Sequence, residues 1–308
     1  MHRAARHETT NETRGLWFGL LGVVIFAMTL PMTRLAVGAA ADPQLPPAFV
    51  TAGRAAFAGL LSVVYLWLTG APRVQRRHLP ALAASALGTV VGFPLFLSLA
   101  LRQVDAMHAA VVTGLMPLAT ATVAALYFRQ RPSNGFWAWA LLGCAMVLAF
   151  AAHQGHGNLS AADGLLLLAV LSTAVGYVAG ARVAAELPAE QVICWVLVIS
   201  LPFTLPAMLA TWPAAPVRAS AWGGFAYVTL FSMWLGFFAW YRGLALGGTV
   251  RVSQVQLVQP FLALLFAVPV LGETLEPTTV LFSLAVIAVV FASKKMPTHT
   301  PSLQPGKS

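Results

Sequence analysis

The chain has 308 residues, of which 59% are hydrophobic and only 9% are charged. A soluble domain carries about 25% charged residues, so this composition, with a mean hydropathy of +0.79, excludes an ordinary water-soluble protein. The net charge of +9 would suggest a nucleic-acid partner in a soluble protein. Here the basic residues lie in short loops between apolar runs, which is typical of membrane topology signals. We expect a lipid bilayer, and no nucleic acid, as the partner.

Ten apolar segments follow one another along the chain. A membrane-spanning helix needs about 20 mostly apolar residues, and the first segment exceeds the roughly 7–15 apolar residues of a cleaved signal peptide, so we expect it to be retained. The fold class predicted is an all-α membrane protein with ten transmembrane helices. The segments are 16–37, 48–69, 79–100, 106–128, 135–152, 163–184, 189–211, 222–242, 250–271 and 277–293.

The basic residues predict the orientation of these helices. With the N-terminus in the cytoplasm, fourteen of the eighteen Lys and Arg residues fall on the inner side, three on the outer side, and Arg54 within a span. This distribution follows the positive-inside rule. We therefore expect a multi-pass protein of the bacterial inner membrane, with a cytoplasmic N-tail (1–15) and a cytoplasmic disordered tail (294–308).

The pattern of apolar runs indicates an internal duplication. Pro117 and Pro260 both fall within a span, and the offset between them also carries three successive spans onto later ones. Two five-helix repeats, 16–152 and 163–293, would lie in opposite senses because five is odd. Inverted repeats are common in transporters, which bind substrate near the midplane where the halves meet. Two halves that merely pack together remain the alternative.

Several short motifs carry a family resemblance when taken in order. They are Leu16-Trp17-Phe18-Gly19, Phe49-Val50-Thr51-Ala52-Gly53-Arg54, Ala239-Trp240-Tyr241-Arg242-Gly243-Leu244-Ala245-Leu246, Gln259-Pro260-Phe261 and Leu271-Gly272-Glu273. Together they resemble the drug/metabolite transporter superfamily, in its bacterial ten-helix branch with two EamA-type repeats, over roughly residues 16–293.

This resemblance implies ten helices around a central cavity and export of an amino acid or other small metabolite. A drug or cofactor/nucleoside-type carrier of the same superfamily is the alternative. The first repeat has Arg129-Gln130-Arg131-Pro132 where the second has Gly272-Glu273. The glutamate position is therefore interpreted as a helix-end feature rather than a part of the transport chemistry.

Charged residues within the spans limit the mechanism. None of the nine acidic residues lies near the middle of a span, whereas ion-coupled transporters often hold a carboxylate there; a uniporter or weakly proton-coupled carrier fits best. Arg54 would cost about 2.5–3.5 kcal/mol at a helix centre. It snorkels to the outer surface, acts as a structural cap, or contacts an anionic substrate group.

The candidate cavity residues are polar or aromatic side chains within the spans. Unpaired amides are costly in hydrocarbon, so the glutamines of the ninth span, of which Gln254 and Gln256 are preferred, should face a wet cavity or pair between helices. His108 could titrate or bond a loop, and the aromatic residues could line a cavity or pack. The full set is Arg54, Phe93, Phe96, His108, Thr113, Tyr177, Trp234, Phe238, Gln254 and Gln256.

Prolines and glycines should shape the helices. Pro94, Pro117 and Pro260 are predicted hinges, since proline removes an intrahelical hydrogen bond. Glycines four residues apart, as in Gly88/Gly92, should allow close helix packing. Cys144 and Cys194 have no metal-ligand spacing, so we expect no metal and no cofactor. The sequence lacks the motifs of an intramembrane enzyme, a channel is less favoured than a carrier, and the oligomeric state is open, with a monomer sufficient.

Overall fold

The computed structural model describes residues 2–127, 131–154, 159–184, 186–247, 254–294 and 298–299. Helical segments follow one another along the chain. Segments that continue one another with a short interruption are treated as one helix, and the helices are numbered α1 to α10. Eight are long and apolar enough to cross a membrane, and two shorter apolar helices, Val255–Leu271 and Pro277–Ala292, follow them in the described part of the chain. The structure is therefore that of an all-helical membrane protein.

Three of the helices in the N-terminal part, α1, α3 and α4, are interrupted. The segments of the helices in this part are α1 (His2–Ala27 and Thr29–Val37), α2 (Pro47–Leu68), α3 (Arg76–His78, Leu79–Ser85, Ala86–Gly92 and Phe93–Ala100), α4 (Ala106–Thr113 and Met116–Tyr127) and α5 (Asn134–Gln154).

Two of the helices in the C-terminal part, α8 and α9, are interrupted. The segments of the helices in this part are α6 (Ala161–Ala184), α7 (Ala189–Ala210), α8 (Ala219–Tyr227, Val228–Leu235 and Gly236–Gly247), α9 (Gln254–Val258 and Gln259–Leu271) and α10 (Pro277–Lys294). Two antiparallel pairs of two-residue strands join loops: β1 (Gly38–Ala39) with β2 (Asp42–Pro43), and β3 (Arg131–Pro132) with β4 (Thr298–His299).

The chain termini differ from the sequence expectation in one respect. Helix α1 begins at His2, so the helix runs through the residues predicted as an N-tail. The tail predicted over 294–308 and residues 250–253 of the ninth predicted span lie largely outside the described residues.

The helix packing follows a regular pattern of partners. Helix α2 packs against α7, α4 against α9, and α5 against α10; α1 packs against α8, and α3 packs against α6. If each helix in these five pairs is replaced by the helix five places away in chain order, the same five pairs result. Two buried apolar clusters lie between these helices, one around Phe49, Leu97 and Phe150 and one around Ile193 and Met233.

Irregular helical turns occur at corresponding places in the two parts of the chain. Ala86–Gly92 in α3 and Val228–Leu235 in α8 are π-helical. Regular α-helix resumes after them at Phe93 and at Gly236. Helices α3 and α8 are therefore interrupted in the same way, and they are five places apart in chain order.

A second pair of interruptions lies in α4 and α9. Regular α-helix resumes at Met116 in α4 and at Gln259 in α9, in each case one residue before a proline, Pro117 or Pro260. The offset between these two positions equals the offset between the ends of the two π-helical turns. The interruptions therefore repeat at the same spacing as the prolines.

Loops gather at two ends of the helix assembly. At the end that we call the Asp42 end, the Arg218 side chain pairs with Asp42, and Ala106 N–H donates to Glu273. At the opposite end, which we call the His78 end, His78 bonds to Glu186. Helices α2 and α7 begin at opposite ends, so they run in opposite directions.

Candidate functional site

Two adjoining chambers lie in the interior between the helices. The space between atoms is about 490 Å³ in one and 530 Å³ in the other, with the open space at their mouths included, and the two share several lining residues. The shared residues are Leu30, Thr113, Met116, Tyr177 and Gln259. Because α1, α4, α6 and α9 each contribute to both chambers, we describe the two as one central cavity.

Interrupted helices open this cavity. Pro94, Pro117 and Pro260 each stand second in a helical segment that resumes after a π-turn, a break or a 3₁₀ turn. Proline lacks the N–H of a regular turn, and its ring clashes with the preceding carbonyl, so the turn before it departs from α geometry. Pro117 and Pro260 line the cavity. Backbone groups freed at membrane depth are tolerated where they line a cavity.

Arg54 is the charged residue of the cavity lining. It lies on α2, seven residues after Pro47 and so about 10 Å into the helix, and its side chain is 2% exposed. Its Nη2 donates to Ser232 Oγ at 3.0 Å, and the Thr29 hydroxyl donates to the same oxygen at 2.8 Å. The snorkelling alternative is therefore wrong: the guanidinium points across to α8 and does not reach a surface.

Two of the Arg54 nitrogens have no acceptor. Nε and Nη1 are buried and make no hydrogen bond within the described part of the protein. No carboxylate of the described residues pairs with the guanidinium either. A buried charge is costly unless it is paired. A further acceptor at these two nitrogens would therefore lower the cost of burying the guanidinium.

Three further threonines line the same chamber as Arg54. Thr89, Thr113 and Thr173 each donate their proton to a carbonyl four residues earlier in their own helix, at 2.7, 2.7 and 3.0 Å. A hydroxyl that donates in this way still has lone pairs that can accept. The cavity therefore presents a cationic donor together with neutral acceptors.

The sequence-predicted candidates divide into two groups. The structure brings Arg54, Phe93, Thr113, Tyr177 and Gln256 to the cavity lining. It places the others elsewhere, or leaves them outside the described side chains in the case of Gln254, which begins the 3₁₀ turn of α9.

The structure places the two predicted aromatic pairs in different surroundings. Phe93 lines the cavity, whereas Phe96 packs against the larger apolar cluster. The rings of Trp234 and Phe238 are tilted against each other with centroids 4.9 Å apart, and they lie 6.2 and 5.0 Å from the ring of Tyr65 in α2. Their shared face was predicted, but they lie in this aromatic cluster and not among the cavity-lining residues, because the rings contact α2.

His108 lies near the Asp42 end rather than in the central cavity. Its Nε2 is 2.7 Å from Asp163 Oδ1, so its partner is an acidic side chain of α6. Asp163 also completes a capping box with Ser160: its Oδ2 accepts from the Ser160 N–H at 2.8 Å, and its own N–H donates to Ser160 Oγ at 3.3 Å. This reciprocal pair satisfies N–H groups at a helix start.

Glu273 caps another helix at the same end. Its two carboxylate oxygens accept from the backbone N–H groups of Ala106 and Met107, at 2.8 and 2.9 Å. Burial raises the pKa of this carboxyl, while the two backbone hydrogen bonds and the charge of Arg34 oppose that change. The geometry is that of a helix-end feature, since α4 begins at Ala106. The capping links the end of α9 to the start of α4.

Sequence reasoning left several lining residues out. Gln259 lines both chambers, although Gln254 and Gln256 were preferred. Ser232 accepts a hydrogen bond from Arg54, and Thr29 donates to Ser232. The glutamine spacing was a usable signal for Gln259. Single hydroxyls in apolar helices carry little signal, because they usually bond their own helix. Among the described residues no cluster of three His, Cys, Asp or Glu side chains could hold a metal ion.

Comparison with protein families gives a match over both parts of the chain. The model described as "EamA-like transporter family" matches residues 13–151 and again residues 160–293. The boundary between these stretches falls in the loop between α5 and α6.

Two curated relatives and one solved structure extend the comparison. The uncharacterized transporter YdeK of Bacillus subtilis (strain 168) is 41% identical over 92% of this chain and 99% of its own length. A probable terminal-alkyne amino-acid exporter of Streptantibioticus cattleyicolor is 24% identical, over 86% and 88%. A crystal structure that is 19% identical superimposes with a TM-score of 0.62 over 92% of this chain and 97% of the other, which indicates a shared fold.

Proposed function

Since the chain belongs to the EamA-like transporter family, we propose that it exports a small polar metabolite, an amino acid or a related compound, across the bacterial inner membrane by alternating access. The observation that carries this proposal is the central cavity, where one buried cation and several neutral acceptors lie between interrupted helices. Carriers of small solutes place substrate at such discontinuous helices near the midplane.

The architecture proposed is a ten-helix bundle of two inverted five-helix repeats, residues 16–152 and 163–293. The exchange-symmetric list of packed helices and the recurrence of interruptions at one fixed offset support it. The opposed directions of α2 and α7 support the inverted relation. Helices from both halves line the cavity, so a rocking motion of one half against the other would open it to either side in turn.

The proposed orientation places the Asp42 end outside and the His78 end in the cytoplasm. Arg73, Arg76 and Arg77 lie at the His78 end, in agreement with the excess of Lys and Arg in cytoplasmic loops. Arg34, Arg102 and Arg218 lie at the other end, where each makes contacts within the protein. Both termini are then cytoplasmic.

The substrate class is proposed from the cavity with modest support from one relative. The cavity combines polar groups with the rings of Phe93 and Tyr177, which suits a small molecule with both charged and apolar parts. The relative named as a probable terminal-alkyne amino-acid exporter supports an amino-acid-like substrate.

Untargeted profiling of metabolites in medium and cells tests the proposal. Cells that express the protein should release specific small polar compounds faster than cells that carry an empty vector, with the intracellular level falling correspondingly. Immunoblotting of the membrane fraction controls for expression. Identical profiles with and without the membrane-inserted protein would contradict an export function.

A further inference from the structure

We propose that Arg54 binds a carboxylate group of the transported compound, so that the substrates are small molecules with a single carboxylate. This inference rests on the proposed export function and names the chemical class that the cavity selects. It begins from an arginine that is 2% exposed, is among the residues that line the cavity, and has two buried guanidinium nitrogens without an acceptor in the described part of the protein.

The geometry around Arg54 leaves its fork available. Ser232 Oγ accepts a hydrogen bond from Nη2 at 3.0 Å, which orients the planar head group. Nε and Nη1 remain. A guanidinium presents its donors in a rigid fork that matches a planar carboxylate, and charge-assisted pairs of this kind are the strong ones.

The charge balance favours one carboxylate over a phosphate. Arg54 is the one charged side chain among the described residues that line the two chambers. A single carboxylate would neutralise it, whereas a dianionic phosphate would carry an uncompensated charge into a site of low polarity, which is costly. The single cation therefore points to a monoanionic group.

The other polar groups of the cavity lining suit the rest of such a molecule. The hydroxyls of three threonines, Thr89, Thr113 and Thr173, donate to backbone carbonyls of their own helices. Their oxygen lone pairs can still accept hydrogen bonds. Together with the amide oxygen of Gln259, they can accept from an ammonium or hydroxyl group. A molecule with a carboxylate at one end and a donor group at the other would satisfy both sides of the cavity.

The test compares the released compounds of cells that express wild-type protein, Arg54→Gln, Arg54→Lys or Arg218→Gln. Every compound that wild-type protein releases above vector should carry a carboxylate. Arg54→Gln should lower its release about tenfold or more, the size expected for a lost charge-assisted hydrogen bond. Arg54→Lys keeps the charge without the fork and should fall between. Arg218→Gln removes an exposed arginine far from the cavity and should match wild type.

Two further measurements keep the proposal falsifiable. Membrane abundance and the size-exclusion profile of each variant show whether it folds. If Arg54→Gln is not inserted, wild-type cells loaded with the primary amide of each released compound decide instead: release of the amide should be at most about a tenth of that of the acid, by the same reasoning.

The outcomes separate the two proposals. If wild-type protein releases nothing above vector, the export function fails. If it releases compounds without a carboxylate, or if a well-folded Arg54→Gln variant or the amides are released at the wild-type rate, export stands and the role of Arg54 is overturned.

Discussion

Arg54 carries a charge inside the helix assembly with one hydroxyl as its neighbour. The Ser232 bond satisfies one nitrogen, and two others have no protein acceptor among the described residues. At a helix centre such a residue costs about 2.5–3.5 kcal/mol. Stability alone would favour an apolar residue at this position, so the charge is best explained by what it binds.

The sequence predicted that Arg54 mattered but not where its head group would lie. Its depth along α2 followed from counting residues. The choice between snorkelling and an inward contact depends on Ser232, which is 178 positions away along the chain. No local pattern reports such a contact, so the two alternatives could be resolved only by the fold.

Glu186 at the His78 end gives a pH-dependent prediction. Its hydrogen bond with His78 and the charges of Arg77, His78 and Arg182 hold the pKa of this carboxyl below its usual range. A lowered folded pKa means that the stabilisation is present above the unfolded pKa of about 4.3 and is lost as the pH falls through the folded value.

We therefore expect wild-type protein in detergent to unfold at a slightly higher temperature than Glu186→Gln at pH 6, by less than about 3 °C because the pair is exposed. The difference should shrink as the pH falls below about 4.3, the usual pKa of a glutamate. Thermal unfolding followed across this range is the measurement, with Glu276→Gln as the control carboxylate. A difference that grows on acidification would contradict the account.

Close helix contacts depend on glycines at defined positions. A Cβ on Gly88 would lie 2.3 Å from the Ser172 carbonyl oxygen and 2.7 Å from Gly176 Cα, both backbone atoms of α6. A Cβ on Gly243 would similarly meet the backbone of Gly19 in α1, at 2.6 Å. Small residues let helix backbones approach in this way, so α3 and α6, like α1 and α8, pack backbone against backbone.

Gly88→Ala should destabilise the protein because α3 and α6 must move apart. Overpacking costs about 1–3 kcal/mol, more than the gain of up to about 1 kcal/mol in helix propensity. Thermal unfolding in detergent should therefore occur several degrees lower. Gly164→Ala, on α6 with no atom within 4 Å of the added Cβ, should unfold at the wild-type temperature or above. Equal stability of the two variants would refute this packing.

The sequence predicted the helical elements better than their faces. Apolar length and breaker residues place the spans within a few residues. Pro94, Pro117 and Pro260 mark where three helices are interrupted, whereas Pro202 and Pro206 lie within the continuous helix α7. The face of a residue beyond an interruption was harder to predict. The π-helical turns of Val228–Leu235 carry more residues per turn than an α-helix, so they rotate Trp234 and Phe238 relative to an ideal helix, and α2 then receives both rings.

At the scale of the whole molecule, the account rests on a cavity between two halves. Composition alone predicted lipid surroundings, and the offset between Pro117 and Pro260 predicted a duplication. The helix interruptions recur at this same offset. The cavity could not be located in the same way, because residues from eight helices line it. Which of their side chains meet depends on long-range packing that one sequence does not display.

Access to the central cavity is the most direct test of this account. Thr113→Cys, in a background with Cys144→Ala and Cys194→Ala, would carry a thiol in the lining shared by both chambers. Its labelling by a small membrane-impermeant methanethiosulfonate is measured from outside in intact cells and from inside in inverted vesicles. The account predicts modification from both sides. Ala174→Cys, at a position that is fully buried, should react from neither. Failure of Thr113→Cys to react from either one of the two sides would contradict alternating access through this cavity.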